Sequence, residues 1–258
     1  MPAGFHNKKI YLRRILMLNF GHRGFSGKYP ENTMLAFRKA VEAGADGIEL
    51  DVHFSNDGEL VVIHDEKIDR TCDSTGFVRD YTLSELQSFD ASAGFRGVYG
   101  VNRIPTLREY FEFIKPIDGF ITNIELKTGV YEYPGIEKAV NDMIVEFGLE
   151  DRIIISSFNH YSVMRFKAIN PKIKCGFLEE SWILEFGKYT KEHGIECIHP
   201  MHWTLTEETV SEMKANGIEI NTWTVNDEDS VARLYKLGVD SVIGNYPDMA
   251  KKVIDSIK

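Results

Sequence analysis

One junction recurs along this chain and constrains its fold more than any other feature. A helix-patterned run ends at glycine, then an apolar residue, an acid and a strand-like run follow. It occurs as Gly44-Ala45-Asp46, Gly194-Ile195-Glu196, Gly217-Ile218-Glu219 and Gly238-Val239-Asp240, with a looser copy at Gly148-Leu149-Glu150. Glycine enters the left-handed conformation that closes a helix, and the apolar residue after it starts a buried strand. The helical half of each unit carries a single apolar stripe: Phe37, Ala40 and Val41 before Gly44; Ile136, Ala139, Val140, Met143 and Phe147 before Gly148; Val231, Leu234 and Tyr235 before Gly238. Strands alternating with such helices predict parallel β/α units. About eight strands can be placed, the number that closes a (β/α)8 TIM barrel. They are expected to begin near Leu18, Gly47, Thr122, Ile153, Cys175, Cys197, Glu219 and Ser241.

A chain of 258 residues suits one such barrel, so residues 1–258 are read as a single domain. The stretch from about residue 66 to 103 breaks the rhythm. It is too long for an ordinary connection, and Thr82-Leu83-Ser84-Glu85 has the form of a capping box, so an insertion with its own helix is expected after the second strand. Because it follows a strand, it should cover the mouth where barrel enzymes keep their chemistry. A second helix is expected from Thr106.

The net charge of −9 argues against a nucleic-acid partner, since polyanions are held by basic surfaces. Cys72, Cys175 and Cys197 show no metal-ligand spacing and read as thiols of a reducing, cytoplasmic setting. Residues 1–20 carry Lys8, Lys9, Arg13 and Arg14 but no small-residue cleavage site, so they are not read as a signal peptide. No run is long enough for a transmembrane helix, and no stable membrane insertion is expected.

From Gly47 to Phe54 the side chains alternate, with Ile48, Leu50, Val52 and Phe54 on one face and Glu49, Asp51 and His53 on the other. In a barrel strand the apolar face packs on the outer helices, which leaves Glu49 and Asp51 facing the axis. The next barrel strand repeats the pattern, with Ile124 and Leu126 outward and Asn123, Glu125 and Lys127 inward. Strands about 4.8 Å apart bring Glu49, Asp51 and Glu125 together. Like charges that close call for a protonated acid or a cation, and three oxygen donors suit a hard divalent ion, Mg²⁺ or Ca²⁺. The alternative is an ion-pair network in which Lys127, Arg23 and Arg70 neutralise the acids. His22 and His64 each close a strand-like run, and an imidazole pair beside a metal can supply both base and acid near neutral pH.

These residues resemble the glycerophosphodiester phosphodiesterase family, of the bacterial cytoplasmic type. His22-Arg23-Gly24, Pro30-Glu31-Asn32-Thr33, Glu49-Leu50-Asp51-Val52, Asp57-Gly58 followed by His64-Asp65, Asp69-Arg70-Thr71 with Gly76, Ile104-Pro105-Thr106-Leu107, Glu125-Leu126-Lys127 and Trp223-Thr224-Val225-Asn226 look like its motifs, in its order, from about Asn19 to Asp248. The resemblance implies a barrel with an insertion after the second strand. It implies Glu49, Asp51 and Glu125 as ligands of one divalent cation, His22 and His64 as the acid/base pair, Arg23 and Lys127 as phosphate ligands and Trp223 as a substrate wall. The implied reaction is hydrolysis of glycerophosphodiesters such as glycerophosphocholine or glycerophosphoethanolamine to glycerol 3-phosphate and an alcohol. The family's closing motif usually has Thr where this chain has Gly244, ahead of Asn245-Tyr246-Pro247-Asp248.

Other residues read first as structural. Asp57-Gly58 forms a hairpin turn, Asp65, Asp69 and Arg70 hold His64 and the insertion, and Asn32 caps a helix while Glu31 orients His22 or Arg23. His53, His160, His199 and His202 are support at strand ends; Trp203 and Tyr246 are packing that also has the chemistry to wall an alcohol pocket. Two functional rivals remain open: a lysophospholipase D, which needs an apolar groove for one acyl chain, and a catalytically silent phosphodiester-binding barrel. An isomerase or aldolase barrel is disfavoured, because Lys127 among carboxylates stays protonated. The assembly is expected to be a monomer or homodimer.

Overall fold

In the computed structural model, which describes residues 17–257, each junction glycine adopts the conformation its place requires. Gly44, Gly148, Gly194, Gly217 and Gly238 have φ of 79°, 67°, 69°, 78° and 78°. The leader reading of residues 1–20 lies mostly outside the described residues.

The elements are β1 (Leu18–His22), α1 (Met34–Glu42), β2 (Gly47–Phe54), β3 (Leu60–Val62), α2 (Leu83–Leu86), α3 (Leu107–Ile114), β4 (Ile121–Leu126), α4 (Ile136–Phe147), β5 (Ile153–Ser157), α5 (His160–Ile169), β6 (Lys174–Glu179), α6 (Phe186–Glu192), β7 (Cys197–Pro200), α7 (Glu207–Ala215), β8 (Glu219–Thr222), α8 (Glu228–Leu237), β9 (Ser241–Gly244) and α9 (Pro247–Ile257). Eight parallel strands close a barrel in the order β1, β2, β4, β5, β6, β7, β8, β9 and back to β1. This is the expected (β/α)8 architecture. Two strands begin one residue earlier than expected, at Ile121 and Lys174.

The outward faces of the strands, Ile48, Leu50, Val52, Ile124 and Leu126 among them, pack fully buried beneath the helices. Phe20, Ile154, Cys197 and Ile243 form a separate small cluster. The three cysteines are free and buried.

β2 outruns β1. β1 pairs with it only as far as Glu49, while β3 lies antiparallel along Val52–Phe54. The five-residue turn between them contains Asp57 and Gly58, as expected of a hairpin; Asp57 Oδ1 also accepts from the Ser55 hydroxyl and the Leu83 N–H, tying the turn to α2. The insertion has its own apolar core, in which Val61 and Ile63 from the hairpin pack with Ile68, Cys72, Val78, Leu86, Ala91 and Ile104. The predicted capping box of Thr82 with Glu85 is present, and a second one, Thr106 with Glu109, opens the helix expected from Thr106.

One expectation is corrected. The cap of α1 is Thr33, whose hydroxyl accepts from the Ala36 N–H, and not Asn32. Asn32 sits at φ 53° and donates its amide to Asp51 Oδ2 at 2.8 Å. Asparagine tolerates the left-handed region because its short side chain finds a local partner, and here that partner is a site carboxylate.

Candidate active site

The C-terminal ends of β1, β2 and β4 form one arc of the barrel mouth, and strand register decides what they present. His22 pairs with Glu49, Glu49 with Asn123 and Asp51 with Glu125. One carboxylate oxygen each from Glu49, Asp51 and Glu125 lies within 4.8 Å of the other two, and all three residues are buried.

The surrounding cations are unevenly shared. Lys127 Nζ lies 2.8 Å from Glu125 Oε1 and 3.8 Å from Asp51 Oδ1, while Arg23 Nε is 3.6 Å from Asp51 Oδ2. Arg23 is also drawn to Glu31 at 2.9 Å, and Arg70 bridges Glu31 and Asp65 without reaching the carboxylate trio. Glu49 has no lysine or arginine side chain within ion-pair distance among the described residues. It accepts the Arg23 backbone N–H at 3.0 Å and stands 3.9 Å from His22 Nε2.

The electrostatic consequences differ by residue. Burial, then the Asp51 and Glu125 charges, push the Glu49 carboxyl well above its ordinary range. Burial also raises Glu125, with Lys127 opposing. Asp51 is equally buried, but His64, Lys127, Arg23 and the Asn32 amide outweigh that burial and hold it below the usual carboxylate range. Its Oδ1 nevertheless has no hydrogen-bond partner, and neither does the buried Asn123 Oδ1. A trio of carboxylates that two cations leave under-neutralised, with partnerless buried oxygens beside it, fits a divalent cation better than a closed ion-pair network.

The two histidines are fixed through Nδ1. His22 Nδ1 donates to Asn245 Oδ1 at 2.7 Å, and His64 Nδ1 donates to Asp65 Oδ1 at 2.5 Å. Both Nε2 atoms are left for the cavity, where Lys127 Nζ donates to that of His64 at 3.2 Å. Burial, then Arg23, lower the His22 pKa to about 3, so its ring is neutral at neutral pH. His64 is held from behind as well. His53 Nε2 donates to the His64 carbonyl at 3.1 Å and its Nδ1 accepts from the Tyr133 hydroxyl. Asp65, Arg70 and Glu31 thus position the site as the sequence indicates, while Asp69 accepts the Gly76 N–H within the insertion.

The opposite arc comes from the later strands. A cavity of about 350 Å³ is lined on one side by His22, Arg23, Glu49, His64, Glu125 and Lys127, and on the other by Phe158, Leu178, Glu180, Trp223 and Ile243. Trp223 lines the cavity, where its indole N–H donates to the His199 carbonyl at 2.7 Å and Phe158 meets it edge to face at 5.5 Å. Phe158, Leu178 and Glu180 carry no local signal in the sequence, because Phe158 follows β5 while Leu178 and Glu180 lie at the end of β6, and they share no motif. Asn245 and Asn32 were in view, but their contacts with His22 and Asp51 span 223 and 19 residues. His160 stacks on Phe177 at 4.1 Å and is structural. His199 supports Trp223 through its carbonyl, and the His202 N–H donates to the Trp223 carbonyl. Trp203 and Tyr246 do not line the cavity; Tyr246 covers Gly27, where a Cβ would come within 2.4 Å of its ring. Gly244 leaves room for backbone, since a Cβ there would stand 2.1 Å from the Val225 carbonyl oxygen.

Known proteins share both pattern and fold. The model of the glycerophosphoryl diester phosphodiesterase family matches residues 22–249. A glycerophosphodiester phosphodiesterase of Caldanaerobacter subterraneus is 44% identical over 90% of this chain and 95% of that one. One of Bacillus altitudinis is 43% identical over 93% and 98%. An Oleispira antarctica phosphodiesterase, solved in complex with the product sn-glycerol-3-phosphate, superposes with a TM-score of 0.83 at 31% identity, covering 93% of this chain and 97% of its own. On the family match across residues 22–249 and these relatives, this chain belongs to the glycerophosphoryl diester phosphodiesterase family.

Proposed function

We propose that this enzyme hydrolyses glycerophosphodiesters, such as glycerophosphocholine or glycerophosphoethanolamine, to glycerol 3-phosphate and an alcohol, using Mg²⁺ or Ca²⁺ held by Glu49, Asp51 and Glu125. The observation that carries the reading is the meeting of that carboxylate trio with two histidines held through Nδ1 whose Nε2 atoms face the cavity. Held by Glu49, Asp51 and Glu125, a divalent cation would supply positive charge to neutralise the phosphate and to ease ionisation of the attacking hydroxyl. Lys127 and Arg23 bind the remaining phosphoryl oxygens and stabilise charge that grows in the transition state.

His22, neutral and with Nδ1–H committed to Asn245, accepts the proton of the nucleophile at Nε2. That nucleophile is water or the adjacent glycerol hydroxyl, the latter passing through a cyclic phosphate. His64, its Nδ1–H held by Asp65, protonates the departing alkoxide from Nε2, the atom that Lys127 Nζ contacts until it turns to the phosphate; the proton reaches Nε2 before that step from Lys127 or from solvent. The three free buried thiols support a cytoplasmic setting, and the chain is taken as a single domain acting as a monomer or homodimer. Among the described residues no helix is long and apolar enough to cross a membrane.

The test is a metal-dependent coupled assay for glycerol 3-phosphate on the native enzyme, Glu125→Gln and His64→Ala. Each variant is expected to lose at least about a hundredfold, the scale of a lost ligand or acid/base group. Near-normal turnover in Glu125→Gln refutes the three-carboxylate site. Binding of glycerophosphodiesters without release of product favours the silent barrel.

A second reading, a lysophospholipase D, has one specific support. Tyr161, Trp182, Leu184 and Trp203 stand exposed on segments that follow β5, β6 and β7 at the mouth. Faster release of headgroup from a monoacyl phospholipid than from its deacylated counterpart decides for it.

A further inference from the structure

The loop between β4 and α4 reaches His64 from two directions. At its start Lys127 Nζ meets the His64 ring. Near its end Tyr133 reaches the His64 main chain through one intervening side chain: the Tyr133 hydroxyl lies 3.1 Å from His53 Nδ1, and His53 Nε2 lies 3.1 Å from the His64 carbonyl oxygen. A carbonyl only accepts, so Nε2 carries the proton of the buried, neutral His53 ring and Nδ1 accepts from the tyrosine. Among the described residues this is the one hydrogen bond of the His64 main chain.

Tyr133 is held against its own backbone preference. Its φ of 49° is left-handed, a conformation that a bulky aromatic residue rarely adopts. It is also buried, while Gly129, Val130, Glu132, Pro134 and Gly135 around it are exposed. Strain of this kind persists where the surroundings over-determine it, and it gathers at functional sites. The Tyr133 ring meets that of His53 nearly at right angles at 5.6 Å and that of Tyr131 at 6.2 Å. Tyr131 in turn carries the Arg79 guanidinium 3.6 Å from its ring centre and meets Phe77 edge to face at 6.0 Å. Those two residues flank Val78, whose N–H donates to the Glu66 carbonyl two residues beyond His64. The loop therefore grips the chain at His64 and just after it.

Resting on the hydrolytic reading of this same site, in which His64 is the proton donor, we infer that Tyr133 is a positioning residue that fixes His64 through His53, with Tyr131 clasping the insertion alongside. Tyr133 does not line the cavity, so its influence on the reaction runs through His64. Without the hydroxyl, His53 Nδ1 is left buried with no donor, its ring is free to turn, and the His64 carbonyl loses its partner. A displaced proton donor slows the chemical step without weakening the grip of Arg23 and Lys127 on the phosphate.

The experiment measures kcat and KM for glycerophosphocholine in the native enzyme, Tyr133→Phe, His64→Ala and the double variant. Phenylalanine keeps the ring and its packing and removes one hydroxyl. Tyr133→Phe is expected to lower kcat by about ten- to thirtyfold, the scale of a slightly misplaced catalytic group, with KM within about twofold of native. In the His64→Ala background the same change should cost no more than about twofold, because the group it positions is gone. Equal factors in the two backgrounds, a native kcat in Tyr133→Phe, or an effect confined to KM overturns the inference. A glycerophosphodiester of 4-nitrophenol, whose phenolate departs without a proton, should lose less than about threefold in Tyr133→Phe. An equal loss on both diesters, with the factors still unequal between backgrounds, places the failure in the proton-donor reading of His64 and upholds Tyr133 as its positioning residue. If the native enzyme releases no glycerol 3-phosphate, the hydrolytic reading fails, and ¹H–¹⁵N spectra of the His64 ring decide: resonances that move in Tyr133→Phe uphold the positioning, and unmoved resonances overturn it.

Discussion

Glu49→Gln separates a metal site from a structural ion-pair network by the sign of its effect on stability. Glu49 is buried, lies within 4.8 Å of the other two carboxylates, and its side chain accepts one hydrogen bond, from the Arg23 N–H. Glutamine keeps that bond through its carbonyl oxygen and removes only the charge. At an effective dielectric near 20, two carboxylates at such a separation repel by roughly 3 kcal/mol or more. Arg23 and Lys127 offset part of this, leaving a relief on the order of 2 kcal/mol in the metal-free protein. For a domain of this size that raises Tm by roughly 4–8 °C.

The pH dependence has a definite sign. The Glu49 carboxyl is raised by burial and by its acidic neighbours, so its contribution to stability is full below the unfolded carboxyl pKa and is lost as pH rises through the folded value. The advantage of glutamine in the metal-free protein therefore grows with pH. Thermal unfolding in chelator, and again with millimolar Mg²⁺ or Ca²⁺, measures both terms. The native protein should gain several degrees on adding metal, and Glu49→Gln should start higher and gain far less. A Glu49→Gln protein less stable than native in chelator, with no metal shift in either, refutes the reasoning, because a network that loses a needed partner leaves buried cations uncompensated.

Lys127→Met should move two quantities in opposite directions. Loss of the proposed phosphate ligand should lower kcat/KM by about a hundredfold, while removal of an ammonium 2.8 Å from Glu125 should tighten metal binding by about tenfold or more, as metal titration will read. Asp65→Asn should lower kcat by about ten- to a hundredfold with little change in KM, and ¹⁵N spectra of the His64 ring should show Nδ1–H no longer dominant. The native Asp65 carboxyl is held low against its own burial by His64 and Arg70, so its ionised form persists well below neutral pH.

Much of this site is legible in the sequence for a simple reason. β2 and β4 obey a strict period of two, so the inward position of Glu49, Asp51 and Glu125 follows from the apolar identity of Ile48, Leu50, Ile124 and Leu126. The junction glycines mark strand starts almost to the residue because their conformation is local. What stays hidden depends on backbone geometry or on distant pairing. Nothing local tells that Asn32 rather than Thr33 leaves the helix cap and turns to Asp51, since both are good caps and the choice is set by a carboxylate on another strand. The wall of Phe158, Leu178 and Glu180 is assembled by barrel closure from residues that carry no shared spacing.

The hairpin that carries His64 has a consequence for how the enzyme fails. The proposed metal ligands ride on β2 and β4, inside the barrel ladder, whereas the chain leading to His64 also packs into the insertion's own small core through Val61 and Ile63. The two halves of the proposed catalyst therefore draw on different cores, tied by the β2–β3 ladder, by the Ile63 N–H to the Asp51 carbonyl and by His53. Regions with smaller cores open first, so on the proposed assignment mild heating or denaturant should release His64 while the carboxylate trio keeps an added divalent cation, giving an inactive state that recovers on cooling without refolding the barrel.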